Sequence, residues 1–145
     1  MTIFEELRLD HDKQRHLLDK LMQTSGDEEE RKEGFIQLKR QLEQHAVAEE
    51  RFFYKPLIDH DSTVELSRHG MAEHHEIDEL VEELEATDMS SSAWIAILKK
   101  LDHKVRHHLE DEEQGFFQQA GKVLAERDKT HLAKEYRQSM ENEGI

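Results

Sequence analysis

The chain has 145 residues, with one proline, six glycines, no cysteine, 37% charged residues and a formal net charge of −14 at pH 7. The missing cysteines exclude thiolate metal sites, disulfides and thiol catalysis, and an acidic surface repels the phosphates of nucleic acid. Mean hydropathy is −0.92, and no apolar run approaches the roughly 20 residues of a membrane span.

The N-terminal stretch MTIFEELRLDHDK has neither the basic start nor the apolar segment of a signal peptide, so a cytoplasmic protein is expected. The length suits one domain around one core, over 1–145. Abundant Leu, Glu, Lys and Gln favour helix. The first helix is predicted over 3–25, starting after Thr2 as N-cap and ending near Ser25-Gly26. The second, over 27–55, stops at the only proline, Pro56. After the loop Ile58–Ser62, Ser62 and Glu65 form a capping-box pattern for a third helix over 63–87. Asp88–Ser92 is a second loop. A fourth helix covers 93–120, and after Gly121 a shorter one covers 122–140, with a frayed ENEGI end. Short connections make neighbouring helices antiparallel. The expected fold is all-α, an up-down-up-down four-helix bundle with an extra short C-terminal helix. The two halves are weak repeats, each with a His-x-x-x-Glu helix followed by two aromatics (Phe53-Tyr54 and Phe116-Phe117).

Core positions of a bundle recur at steps of three and four. The four stripes read Phe4, Leu7, His11, Gln14, Leu18, Leu21; Phe35, Leu38, Leu42, His45, Glu49, Phe52, Pro56; Gly70, His74, Ile77, Val81, Leu84; and Leu98, Leu101, Val105, His108, Glu112. Each turns polar at one level. Measured along the helices from the loops, those levels agree within about 3–5 Å at about 1.5 Å per residue. Burying a carboxylate or an unpaired imidazole costs several kcal/mol, and two inward glutamates repel. A cation resolves both problems. Imidazole and carboxylate are ligands that iron, manganese and zinc accept, and the i, i+4 spacing puts His and Glu on one face. The candidate metal ligands are His11, His45, Glu49, His74, His108 and Glu112. His107 competes with His108, but the apolar stripe favours His108, leaving His107 as a supporting group. His69-x-x-x-Glu73 is a further ligand-spaced pair at a stripe edge. His16, His75, His103 and His131 fall off the stripes and His60 lies in a loop. Tyr54 belongs to the core, with its hydroxyl within reach of the site, and Trp94 packs at the start of the fourth helix.

At these residues the chain resembles the hemerythrin-like, HHE cation-binding family. The motifs are Asp10-His11, His45 to Glu50 before Phe53-Tyr54, Glu73-His74, and His107 to Glu113 before Phe116-Phe117. The resemblance implies a single HHE domain with a non-haem di-iron centre. His11, His45, His74 and His108 would be terminal ligands, Glu49 and Glu112 would bridge, and an oxo or hydroxo group or water would complete the core. Hemerythrins use a His-x-x-x-His pair on the third helix. Here Asp78 lies four after His74 and Gly70 four before it, so one metal lacks a protein ligand. That position is either open or filled by Glu73, Asp78 or His69.

The function expected is two-iron cation binding, with manganese or zinc as substitutes, serving to bind or sense a small diatomic ligand such as oxygen or nitric oxide, or acting in oxidative or nitrosative stress. Alternatives are a di-iron oxidoreductase or peroxidase-like enzyme, and an iron storage or sensing module. Metal and ligand binding fits better than catalysis, because no motif marks an organic substrate. Expected partners are metal ions and the diatomic ligand, with no nucleic acid and no membrane.

Overall fold

Thr2 starts the first helix by a reciprocal contact. Its hydroxyl accepts the Glu5 backbone N–H at 3.3 Å, and the Glu5 carboxylate accepts the Thr2 N–H at 3.3 Å, which satisfies two of the donors that every helix start leaves free. A computed structural model describes residues 1–145. In it α1 spans Ile3–Met22, α2 Glu29–Glu49, α3 Val64–Glu85, α4 Ser92–Asp111 and α5 Glu126–Asn142. The chain is all-helical, as expected. No helix is long and apolar enough to cross a membrane.

Two of these helices run on past their ends through a wider, π-type turn. After α2 the turn is Glu50–Tyr54, followed by Lys55–Leu57. After α4 it is Glu112–Phe116, followed by Phe117–Val123. Each π turn slips one extra residue into the helix and shifts the inward face by about 100°. Phe53 and Tyr54 are therefore fully buried while Phe52 is only partly so, which corrects the stripe reading Phe52–Pro56. The helix ends not at Pro56 itself but one residue on, at Leu57. The widened ladder just before Pro56 relieves the clash a proline ring makes with a preceding carbonyl. Gly121 does not break the helix after α4 either. The break comes at Leu124, whose backbone is extended (φ −85°, ψ 133°).

The capping box expected at Ser62 is absent. Thr63 is the N-cap of α3, without a side-chain cap. Its hydroxyl instead donates to the Leu57 carbonyl at 2.6 Å, tying the loop to the end of the preceding helix. Ser91, in the second predicted loop, caps α4 by accepting the Trp94 N–H at 3.3 Å. Trp94 packs as expected, its indole N–H donating to the Leu84 carbonyl at 3.1 Å.

Successive helices pack side by side, α1 against α2 and α3 against α4, and α5 lies along α1 and α2. The interior has two apolar layers. One holds Leu18, Leu38, Leu42, Val81, Leu101 and Val105, with Trp94 at its end. The other holds Ile3, Leu7, Phe53, Leu57, Phe116 and Phe117, with Tyr136 and Met140 of α5. The polar level of all four stripes lies between them. Each large apolar side chain in these layers stabilises the fold by roughly 1.5–3 kcal/mol.

Candidate metal centre

The polar layer brings together all six predicted residues. His11, His45, Glu49, His74, His108 and Glu112 are each 5% exposed or less. They form two overlapping groups. One is His11, His45, Glu49 and Glu112, and the other is Glu49, His74 and His108, each with its ligand atoms within 4.8 Å of one another. Glu49 belongs to both. Its Oε1 lies 3.0 Å from His74 Nε2 and 3.4 Å from His45 Nε2. Glu112 also faces both halves, with Oε1 3.2 Å from His11 Nε2 and Oε2 3.7 Å from His108 Nε2.

Every histidine in the layer has its Nδ1 engaged on the outer side. His11 Nδ1–H donates to Glu113 at 2.8 Å, His74 to Glu50 at 2.8 Å and His108 to Glu73 at 2.8 Å. His45 Nδ1–H donates to the Tyr136 hydroxyl at 2.6 Å. An acceptor at Nδ1 fixes the tautomer and aims the Nε2 lone pair inward, the arrangement that orients metal-binding histidines. The inward atoms are orphans. With the imidazoles neutral, Nε2 of His11, His45 and His74, Glu49 Oε2 and Glu112 Oε1 are buried and have no hydrogen-bond partner, facing only one another. Buried polar atoms are nearly always paired. Five such orphans converging on one space, all of them nitrogen or carboxylate donors, fit a cation of borderline hardness.

The two halves are related by a constant offset. His11 and His74, His45 and His108, Glu49 and Glu112, and Glu50 and Glu113 are each 63 positions apart, since 74 less 11 and 112 less 49 are both 63. Each Glu-Glu pair supplies one carboxylate to the centre and the next to a histidine of a neighbouring helix. Glu50 and Glu113 thus have a role that stripe reasoning missed. The repeat offset was the signal that could have found it.

Without a cation, protons hold these charges together. Burial disfavours charged His11, yet its contacts with Glu112 and Glu113 raise it to about 9. Burial opposes charge on His74 as well, and Glu49 and Glu50 raise it to about 9. His108 is raised too, against burial, by Glu112, Glu49 and Glu73. Burial would push Glu49 up, but His45, His108 and His74 hold it well below the usual carboxylate range. The same opposition leaves Glu113 at about 2, held down by His11 and Arg15.

Tyr54 also reaches the polar layer. Its hydroxyl donates to Glu112, lies 3.0 Å from Glu49 Oε1 and sits 3.5 Å from His108 Nε2. The hydroxyl thus presents an oxygen to the same space as the inward imidazole and carboxylate atoms. A Cβ at Gly70 would lie 2.5 Å from Tyr54 Cζ and from its hydroxyl oxygen. Gly70→Ala is therefore expected to destabilise. The helical gain of alanine, up to about 1 kcal/mol, is outweighed by an overpacking cost of roughly 1–3 kcal/mol, because Tyr54 is pinned by its hydrogen bonds. Thermal denaturation checks this, and an unchanged melting temperature would refute it.

The candidates for the third-helix gap turn away. Asp78 is exposed. His69 has a side chain 62% exposed and contacts Glu73 at 3.4 Å. Glu73 is committed to His108 Nδ1. His107 is exposed too, paired with Asp111 at 3.2 Å, so it is not the supporting group expected of it. His16, His60, His75, His103 and His131 are all exposed.

A family model described as the hemerythrin HHE cation binding domain matches residues 2–120. No curated protein and no solved structure matches the chain.

Proposed function

The chain belongs to the hemerythrin HHE cation-binding domain family, and from that premise we propose that it is a non-haem di-iron protein that binds or senses a small diatomic ligand, oxygen or nitric oxide, or acts in oxidative or nitrosative stress. One ion would be held by His11 and His45 and the other by His74 and His108, with Glu49 and Glu112 bridging and Tyr54 as an additional oxygen donor on the second side. Iron there would supply reversible electron transfer and a position for the small ligand. The observation that carries the reading is the set of five buried, partnerless nitrogen and carboxylate atoms converging between two apolar layers.

The protein's own contribution is orientation and exclusion. The outer carboxylates and Tyr136 fix the imidazoles, Glu49 and Glu112 would hold the positive charge of bound metal, and the apolar layers keep bulk water away. The wide surface cleft between α2 and α3, about 920 Å³, reaches Glu50 but is lined by none of the six central residues. This supports a ligand of a few atoms over an organic substrate.

Metal analysis of protein from iron-supplemented cells is expected to give about two irons per chain, the content of a carboxylate-bridged pair. None or one overturns the dinuclear reading. A near-ultraviolet band that changes reversibly with oxygen or nitric oxide supports ligand binding. Steady consumption of peroxide without such a reversible change favours the oxidoreductase alternative.

A further inference from the structure

The 63-residue offset holds for one more pair, Asp10 and Glu73, each just before a stripe histidine. Glu73 reaches across to His108 Nδ1 directly. Asp10, one methylene shorter, does not touch His45. Between them stands the hydroxyl of Tyr136, which accepts from His45 Nδ1–H at 2.6 Å and donates to Asp10 Oδ2. The direction follows from the groups. An ionised carboxylate can only accept, so the phenol proton goes to Asp10 and the imidazole must donate. Arg137 fastens Asp10 in turn, its guanidinium lying 3.3 Å from Oδ2 and donating to Glu6 at 2.7 Å. Tyr136 and Asp10 are both fully buried. Tyr136 and Arg137 sit on α5, beyond the residues matched to the family.

We propose that α5 completes the metal centre, with Tyr136 as a positioning residue that lengthens Asp10 and holds His45 in the Nδ1–H tautomer. This rests on the metal-centre reading above. The other three histidines are each held by a carboxylate. The fourth is held by a phenol from a helix outside the four-helix repeat. Ordering of α5 is thereby coupled to metal loading on the His11–His45 side.

The test compares the parent with Tyr136→Phe and with the double variant Asp10→Glu, Tyr136→Phe, in which a longer carboxylate can reach His45 unaided. Iron affinity is measured by chelator competition on protein that circular dichroism shows to be folded. Tyr136→Phe is expected to bind metal about 10- to 100-fold more weakly, as for loss of other outer partners of ligand histidines. The double variant should recover most of that loss, which a merely structural role would not produce. In the metal-free parent, nitrogen NMR of the histidine rings should show His45 protonated at Nδ1, a measurement that stands even where Tyr136→Phe does not fold. Folded Tyr136→Phe binding within twofold of the parent overturns the proposal and leaves the metal-centre reading intact, as does His45 protonated at Nε2. A parent that takes up no metal overturns both.

Discussion

Glu49→Gln is expected to remove both metal ions, not one, and to weaken the metal-free bundle more at about pH 6 than at about pH 10. Glu49 is fully buried and is shared by the two ligand groups. Its oxygens lie 3.0 Å from His74, 3.4 Å from His45, 3.9 Å from His108 and 4.0 Å from His11. A neutral amide keeps the shape and loses the charge. Two closely spaced cations would then face one bridging carboxylate in place of two, in a water-poor layer where each uncompensated charge costs several kcal/mol. The metal-free protein has the converse problem. Its raised histidines carry protons near pH 6, and Glu49 is the anion nearest the middle of them. Removing one partner of a buried ion pair costs about 3–5 kcal/mol. Near pH 10 His11 and His74, at about 9, have largely lost their protons, and the penalty shrinks. Metal content, with urea denaturation of chelated protein at the two pH values, checks both halves. A variant that keeps the parent's metal content would show that Glu49 is not the shared ligand.

The ligand-bearing stripes were legible in the sequence because burial and helical period act together. A histidine or glutamate in line with Leu7 and Leu18, Leu38 and Leu42, Ile77 and Val81, or Leu101 and Val105 faces the same interior as they do. That is why His11, His45, Glu49, His74, His108 and Glu112 converge, and why His108 is inside while His107 is exposed. The outer partners were not legible by the same rule. Glu50 and Glu113 follow inward glutamates directly, and Glu73 precedes an inward histidine, so all three lie off the stripe. The two π turns then alter the helical period beyond Glu49, so that the stripe continues on Phe53 and on Tyr54, whose place in the core beside the site was expected, where α-helical counting reached Phe52. Local stop signals were overrun by a few residues for a related reason. Pro56 and Gly121 follow wide turns whose faces are already packed, and packing outweighs propensities of about 1–3 kcal/mol. Tyr136 is the least legible of all. It meets Asp10 from 126 residues away, and nothing in helical periodicity links a position on α5 to a histidine on α2.

The halves are similar, yet they do not match at two places, and both mismatches make the two halves of the site unequal. Tyr54 is offset from Phe117 by the same 63 residues. Both stack on a histidine, Tyr54 on His74 at 5.3 Å and Phe117 on His11 at 5.9 Å between ring centres. Only Tyr54 brings an oxygen to the centre, and Gly70 opens the room for it where Leu7 stands in the other half. The other mismatch is Asp10 with Tyr136 in place of a direct glutamate. The His74–His108 side thus gains a phenol oxygen, while the His11–His45 side depends on a neighbouring helix.

Chelated protein is expected to lose stability as pH rises from about 7 to about 10, whereas metal-loaded protein is not. The direction follows from the unfolded and folded values. His11 and His74 sit near 6.5 when unfolded and at about 9 in the folded, metal-free chain, and His108 is raised as well. Stability from a raised histidine is fully present below 6.5 and disappears as pH climbs through about 9, by up to on the order of 3 kcal/mol for each group. The carboxylates act at the other end. Glu113, at about 2 when folded, contributes stability present above 4.5 that is lost as pH falls toward 2, and Glu49 acts in the same direction. The metal-free bundle should therefore be most stable between about pH 4.5 and 6.5. Metal reverses the alkaline limb, because a ligand histidine must be neutral at Nε2 and the cation then neutralises Glu49 and Glu112 in place of protons. Apparent metal affinity should rise with pH up to about 9, and uptake at pH 7 should release about two to three protons per chain. Thermal denaturation across pH with and without chelator checks the stability limbs, and calorimetric titration in two buffers of different ionisation heat counts the protons. Metal uptake without proton release, or a chelated protein that grows more stable from pH 7 to 10, would show that protons do not stand in for the cations.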